Sequence, residues 1–458
     1  MKLHNIILGI LFIGLGLSSC KKAVEIDPIN VITKDSALQT EADFLALLNS
    51  TYTVLAANSY WGGRWQTVNE LLADHIAQSD GLSGDYLAIY RRSVDIFNVN
   101  ISGLYRQPWF AVARANSVLE NLNRLTGPNR NRAEGEARFI KAISHFDIVR
   151  LWGQPFAPGG PNTQPGIPVK DTSAPTAVER KSVGEVYAKV IADLKAAENL
   201  LPDANGVYPT KWSAKALLAR VYFQMNDFTN AYNYANQVIT SGKFTFDADY
   251  KKRFSAAGTP EAIFQLIYET NNPTGRFGEL RDPFRTNRAA LPALRVSTYL
   301  AQKAMANPTD KRRAWYKTVG PDVLTTKYDS LSFKVPVLHL TEMKLIRAES
   351  AAETNSNLNV GIQDVNDIIT RAYGAGSALL LTGTATAATL RDAVRREREL
   401  EMVFEGDRVQ QLKRMGAKGE SVTIRNAPWD CNGLIFVFPT NEVFQNPGFQ
   451  QNPTGGCQ

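Results

Sequence analysis

The densest reactive chemistry in this 458-residue chain is a run of charge from Arg391 to Arg414. Within it, Glu397, Glu399, Glu401 and Glu405 stand among many arginines. Two carboxyls across a cleft serve as the acid and nucleophile of a glycosidase when one keeps its proton and the other stays partly free. On a helix, however, Glu397, Glu401 and Glu405 form one i, i+4 row, and the interleaved arginines hold such carboxylates ionised. The pattern predicts a salt-bridged packing surface. Little else suggests a reaction. His4, His75, His145 and His339 are scattered, with no spacing that makes a metal pair. A Gly-x-Ser-x-Gly elbow, a P-loop and a full dinucleotide fingerprint are all missing; Gly374-Ala375-Gly376 lacks a third glycine and a preceding strand. Asp80, Ser83 and Asp85 lack the distal bidentate Glu of a calcium loop and read as a polar loop. The expectation is no catalytic residue, no metal and no cofactor.

Binding chemistry is better represented. The 16 Tyr, 21 Phe and 7 Trp exceed what a plain helical scaffold needs. Aromatic rings in loops bury apolar faces of a ligand while polar neighbours hydrogen-bond it. Three sets qualify as ligand-binding candidates. Tyr60, Trp61, Arg64 and Trp65 surround Gly62-Gly63; Arg276 and Phe277 go with Phe284 and Arg285 in a central irregular segment; Trp315 and Tyr316 form the third. Packing in a core or loop is the alternative for each ring. Trp109, Trp152 and Trp212 fall at helical positions and are assigned to the scaffold.

The cysteines carry the remaining chemistry. Met1-Lys2 gives a positive start, Ile6–Leu17 is an uncharged apolar run, and Leu17-Ser18-Ser19-Cys20 closes it. The run is too short for a stable membrane span and fits a signal-peptide core. An apolar residue, two small residues and a Cys form a lipobox. Residues 1–19 are therefore expected to be cleaved and Cys20 acylated, with 20–34 as a tether. Each buried acyl methylene contributes about 0.8 kcal/mol to membrane attachment. In an exported, oxidising setting Cys431 and Cys457 are a candidate disulfide; two unrelated thiols are the alternative, which spacing does not decide. Net charge is +7, or +6 without Lys2, and no basic tract is interleaved with aromatics, so nucleic acid is not an expected partner.

The elements that must position these residues are mainly helical. Apolar spacing predicts helices over 35–57, 109–125 and 132–152, then 182–201 with Ser182 as N-cap and Pro202 just beyond. Further pairs are expected at 210–225 with 228–241 and at 341–354 with 360–372. In 212–239, Ala216, Ala219, Ala231 and Ala235 with Tyr222 and Phe228 resemble a tetratricopeptide unit, in which small residues let two helices approach. Segments 152–176, 271–292 and 422–458 are long loops, rich in Pro, Gly or aromatics.

The family resemblance rests on the C-terminal helical region. Glu397-Arg398, then Glu401-Met402-Val403-Phe404-Glu405-Gly406-Asp407-Arg408, then Leu412-Lys413-Arg414-Met415-Gly416 resembles the C-terminal signature of the SusD/RagB family, lipid-anchored nutrient-binding proteins of Bacteroidetes outer membranes. Ala115-Asn116-Ser117-Val118-Leu119, Glu136-Ala137-Arg138, Leu151-Trp152-Gly153, Gly166-Ile167-Pro168 and Asn446-Pro447-Gly448-Phe449 follow the family's order, so the likeness runs nearly end to end. Gln411 and Met415 stand where relatives commonly have Asp and Trp.

The resemblance implies one body over 35–458, mainly α, with tetratricopeptide-like pairs near 109–152, 182–241 and 341–416 and long loops forming a ligand face. It implies an outer-membrane location facing the exterior, and a SusC-like TonB-dependent transporter over which the protein is a lid. The implied ligand is an oligosaccharide, or a peptide as in RagB-like uptake. It also places Glu397, Arg398, Glu401, Glu405, Gly406 and Arg408 in a structural network, with Gly406 in a helix interior for close packing. A surface glycosidase and a protein-only tetratricopeptide adaptor are the rival readings.

Overall fold

Helix starts are set by side chains that accept the first free N–H groups. Asn98 caps Val99–Leu119 through Ile101 N, and Asp227 caps Phe228–Thr240 through Asn230 N. Ser182 and Glu185 form a reciprocal capping box ahead of Val183–Leu200, and Thr210 with Ser213 does the same for Lys211–Gln224. The computed structural model describes residues 38–267 and 278–457. The chain divides into two units, Met1–Phe44 and Leu45–Gln458.

The principal helices are Glu41–Leu55 (α1), Arg64–Leu72 (α2), Val99–Leu119 (α3), Gly127–Trp152 (α4), Val183–Leu200 (α5), Lys211–Gln224 (α6) and Phe228–Thr240 (α7). After the central segment come Leu340–Glu353 (α8), Leu358–Tyr373 (α9), Ala387–Glu401 (α10), Arg408–Ala417 (α11) and the short Thr440–Gln445 (α12). From α3 to α9 each packs on the next, and α8 also packs on α10. The pairing of α7 with α8 carries this array across the roughly hundred residues between them. A solenoid of helical pairs has this nearest-neighbour logic, since each pair buries its apolar face only against its neighbours. Ala216, Ala219, Ala231 and Ala235 are fully buried, which lets α6 and α7 approach, and Tyr222 stacks on Tyr234 at 5.6 Å between centroids. Leu345, Ala348, Val365, Ile368, Leu390 and Val394 form the core shared by α8, α9 and α10.

Strands are few and short. Ala262–Leu266 pairs antiparallel with Val335–His339, so the central insertion leaves and re-enters the helical array side by side. A four-stranded sheet has the order Ile76–Ala77, Arg295–Val296, Asp322–Thr325 and Tyr316–Val319. Its register sets Ile76 opposite Val296 and Val296 opposite Val323. In the Pro- and Gly-rich loop after α4, Pro165–Pro168 pairs with Arg180–Ser182, which fixes 169–175 beside α3.

One expectation needs correction. The helix carrying the Arg–Glu row ends at Glu401, so Glu405 and Gly406 are not in a helix interior. Phe404 and Gly406 take left-handed φ of 62° and 80° in the turn to α11. A Cβ on Gly406 would also lie 3.3 Å from Gln66 Cα. Glycine is needed there for its backbone and for close approach to α2.

Candidate functional site

The charged cluster is a buried ion network. Arg312 bonds Glu397 at 2.9 Å and Glu401 at 3.2 Å; Arg371 and Arg253 reach Glu401 at 2.8 and 3.2 Å. Glu405 accepts from Lys327 Nζ at 2.7 Å and Arg253 Nη1 at 3.0 Å, and lies 3.1 Å from His339 Nε2. Arg398 pairs with Asp407, and Arg408 with Asp74 at 2.8 Å. Burial alone would raise the Glu401 carboxyl, but Arg371, Arg312 and Arg253 hold it at about 2. Glu405 is likewise held well below the carboxylate range, by Lys327 and Arg253 against the effect of burial. Both oxygens of each carboxylate are engaged by cations or by His339, the arrangement of a structural ion network. What they do is tie α10 to the central insertion and to α9. Gln411, at a departure from the family pattern, lies within hydrogen-bonding distance of Glu349.

The aromatics of the first candidate set are interior. Tyr60, Trp61 and Trp65 are buried. Tyr60 Oη and Trp61 Nε1 both donate to Asp147 Oδ2 from α4, at 2.6 and 2.8 Å. The Arg150 guanidinium lies 4.8 Å from the Trp65 ring. These rings give up their faces to α4 rather than to solvent, so they offer no stacking platform in this conformation. Arg64 pairs with Glu279 at 2.8 Å, and Tyr86 donates to the same carboxylate. Phe284 is fully buried against Tyr328 and Phe404, with centroids 5.5 and 5.4 Å away; Arg285 lies half-buried beside Asp282. Trp315 and Tyr316 are buried too, Trp315 edge-on to Tyr250 and under Lys327. Arg276, Phe277 and Cys20 lie outside the described residues.

At the other end of the chain, Cys431 and Cys457 are bonded, with Cα atoms 5.5 Å apart. The 26-residue separation contains α12. Trp429 lies flat over α11 at Gly416, where a Cβ would stand 2.1 Å from its ring.

A half-buried Trp109 and an exposed Phe110 occur elsewhere, on α3, beside the buried Tyr105. Two i, i+4 pairs share one helix face there: Tyr105 with Trp109, 5.9 Å edge-to-face, and Arg106 with Phe110, 5.8 Å from guanidinium to ring centre. They floor a groove of about 300 Å³ whose walls are the 170–175 loop and the 439–445 segment. Phe110 is 49% exposed. Lys170 leans over the Trp109 ring at 5.5 Å, and Tyr105 Oη donates to Glu442 at 3.2 Å. Burial, and then the Glu442 carboxylate, push the Tyr105 phenol well above its usual range. Beneath Trp109, at 5.4 Å, His145 is held neutral, because burial lowers it to about 3. The groove therefore has an uncharged aromatic floor, two cations at its rim and a carboxylate on its far wall. By sequence Trp109 reads as scaffold; the signal for the groove was the two i, i+4 pairs, Tyr105 with Trp109 and Arg106 with Phe110.

A second cavity, about 290 Å³, lies between α10 and α11, with His75, Lys303, Glu399 and Arg408 among its walls and Met402 and Met415 beside them. It has no aromatic platform other than the His75 ring, which burial would deprotonate but Glu399 and Glu70 hold protonated, up to about 9.

A family model described as starch-binding and associating with the outer membrane matches residues 32–223, and that of the SusD family matches residues 299–446. The chain belongs to the SusD/RagB family. Two SusD-like proteins of Formosa agariphila are similar over most of their length. One is 25% identical across 96% of this chain and 93% of its own; the other is 24% identical across 87% and 82%. A SusD superfamily structure from Bacteroides thetaiotaomicron has a TM-score of 0.78 at 20% identity, covering 91% of this chain and all of that one. A SusD-like carbohydrate-binding protein from Bacteroides vulgatus has a TM-score of 0.68 at 18% identity, covering 82% and 83%. These structural likenesses are likenesses of fold. In this SusD-family chain no helix among the described residues is long and apolar enough to cross a membrane.

Proposed function

We propose that this SusD-family chain is an outer-membrane lipoprotein that captures an oligosaccharide nutrient at the cell surface. It hands the ligand, chemically unaltered, to a SusC-like TonB-dependent transporter that it covers as a lid. The observation that carries this reading is the family match across both halves of the chain. Two features of the molecule agree with it. The carboxylates that sequence offered to a glycosidase are neutralised by arginine, and the α3 groove combines rings with hydrogen-bonding groups as a sugar needs. Anchoring is assigned to acyl chains on Cys20, and the ligand to the face formed by Trp109 and Phe110.

Calorimetry on the purified mature chain with a panel of neutral and acidic oligosaccharides tests this. Phe110→Ala removes a half-exposed ring, so its expected effect is a loss of about 1–2 kcal/mol of binding energy with the melting temperature unchanged. Binding that Phe110→Ala and Trp109→Ala both leave untouched places the ligand elsewhere. A panel in which only peptides bind replaces the glycan with a peptide.

A further inference from the structure

We infer that the α3 groove selects a sugar that carries negative charge, a uronic acid or a sulfate ester. This rests on the reading of the groove as the glycan site. The argument begins with two cations and what they lack. Arg106 and Lys170 flank the aromatic floor, and neither has a carboxylate within ion-pair distance among the described residues. In the buried network, by contrast, Arg312 alone faces Asp310, Glu397 and Glu401. Here both lie over rings instead, a weak and easily displaced arrangement at a half-exposed site.

A sugar ring stacking on Trp109 and Phe110 takes the place the cations now occupy. The displaced ammonium and guanidinium then need an acceptor, and an anionic substituent on that sugar supplies one, with Arg106 able to meet it bidentately. The far wall asks for something different. Glu442 takes the Tyr105 hydroxyl and has acceptor capacity left for ligand hydroxyls. It belongs to the 439–445 wall and Lys170 to the 170–175 wall, so a ligand with charge at one edge and hydroxyls at the other has a partner for each. The net charge of +6 left on the side chains without Lys2 favours approach of such a ligand as well.

The test is calorimetry on the mature chain with three tetrasaccharides: tetragalacturonate, a sulfated galactose tetramer and neutral galactotetraose. At least one acidic probe is expected to bind tenfold or more tightly than the neutral one, and which one it is separates carboxylate from sulfate. Arg106→Gln and Lys170→Gln should each weaken that probe about fivefold and shrink its margin over the neutral one. Its affinity should also fall with added salt. Equal binding of acidic and neutral probes, with Phe110→Ala weakening both, overturns the charge selection and leaves the glycan site standing. Failure of all three probes to bind, or binding that no groove substitution alters, overturns both.

Discussion

Glu405→Ala is the sharpest perturbation of the buried ion network. Glu405 is almost fully buried and satisfies Lys327, Arg253 and His339 at once. Arg253 retains Glu401, but Lys327 keeps only the carbonyl of Val403 as an acceptor and stays buried as a charge. Removing one partner of a buried pair costs about 3–5 kcal/mol, most of it from the charge left behind. At about 2.1 cal/mol/K per residue, unfolding the Leu45–Gln458 unit carries an entropy of roughly 0.9 kcal/mol/K, so the melting temperature should fall by about 3–6 °C. Scanning calorimetry gives that shift, and glycan titration below the transition gives affinity. The expected outcome is the lower melting temperature with unchanged affinity. Wild-type stability together with lost binding, or with a lost hydrolytic activity, would refute the packing role.

Three further outcomes follow from the same structure. Cys431→Ser opens a loop of 26 residues that the chain-entropy model values at about 3.5 kcal/mol, and it frees α12, so both melting temperature and glycan affinity should drop; unchanged values in the reduced protein count against a pinned groove wall. Cys20→Ser should move the protein from the membrane fraction to the soluble one, and mass spectrometry of the wild type should find an acylated residue 20 as its first; an intact leader contradicts this. The pH profile of stability should be a plateau with two flanks. Glu401 and Glu349, held at about 2 against a usual 4.5, contribute stability above about 4.5 that is lost as pH falls through 2. His75, raised to about 9 from 6.5, contributes stability below 6.5 that is lost as pH rises through 9, and His75→Gln should flatten that alkaline flank.

Much of the scaffold was legible because helix grammar is local. Ser182 as an N-cap and Pro202 beyond Leu201 act within a few residues of themselves, and the alanines of α6 and α7 within one adjacent pair. What failed depended on distant partners. Trp61 and Trp65 read as loop aromatics beside two glycines, but Asp147 and Arg150, some 85 residues away, draw them inside. Trp109 read as scaffold and does lie in α3 against His145, but the groove beside it has walls from 170–175 and 439–445, which no window around Trp109 contains. Glu405 fitted an i, i+4 row until Phe404 and Gly406 turned the backbone out of the helix. The row was rightly expected to be ionised, but not by its interleaved arginines: Glu401 and Glu405 are held by Arg253, Arg312, Arg371 and Lys327 from distant segments, while Arg395 and Arg398 turn to Glu349 and Asp407.

The central claim is capture without conversion, and native mass spectrometry tests it most directly. The mature chain is incubated with the tightest-binding oligosaccharide, then weighed while the solution is analysed for shorter fragments. The predicted result is a 1:1 adduct of the mass of the protein plus the intact oligosaccharide, which Phe110→Ala depletes, with no fragments at any time. Reproducible cleavage by the pure protein would contradict the account and put a glycosidase in its place.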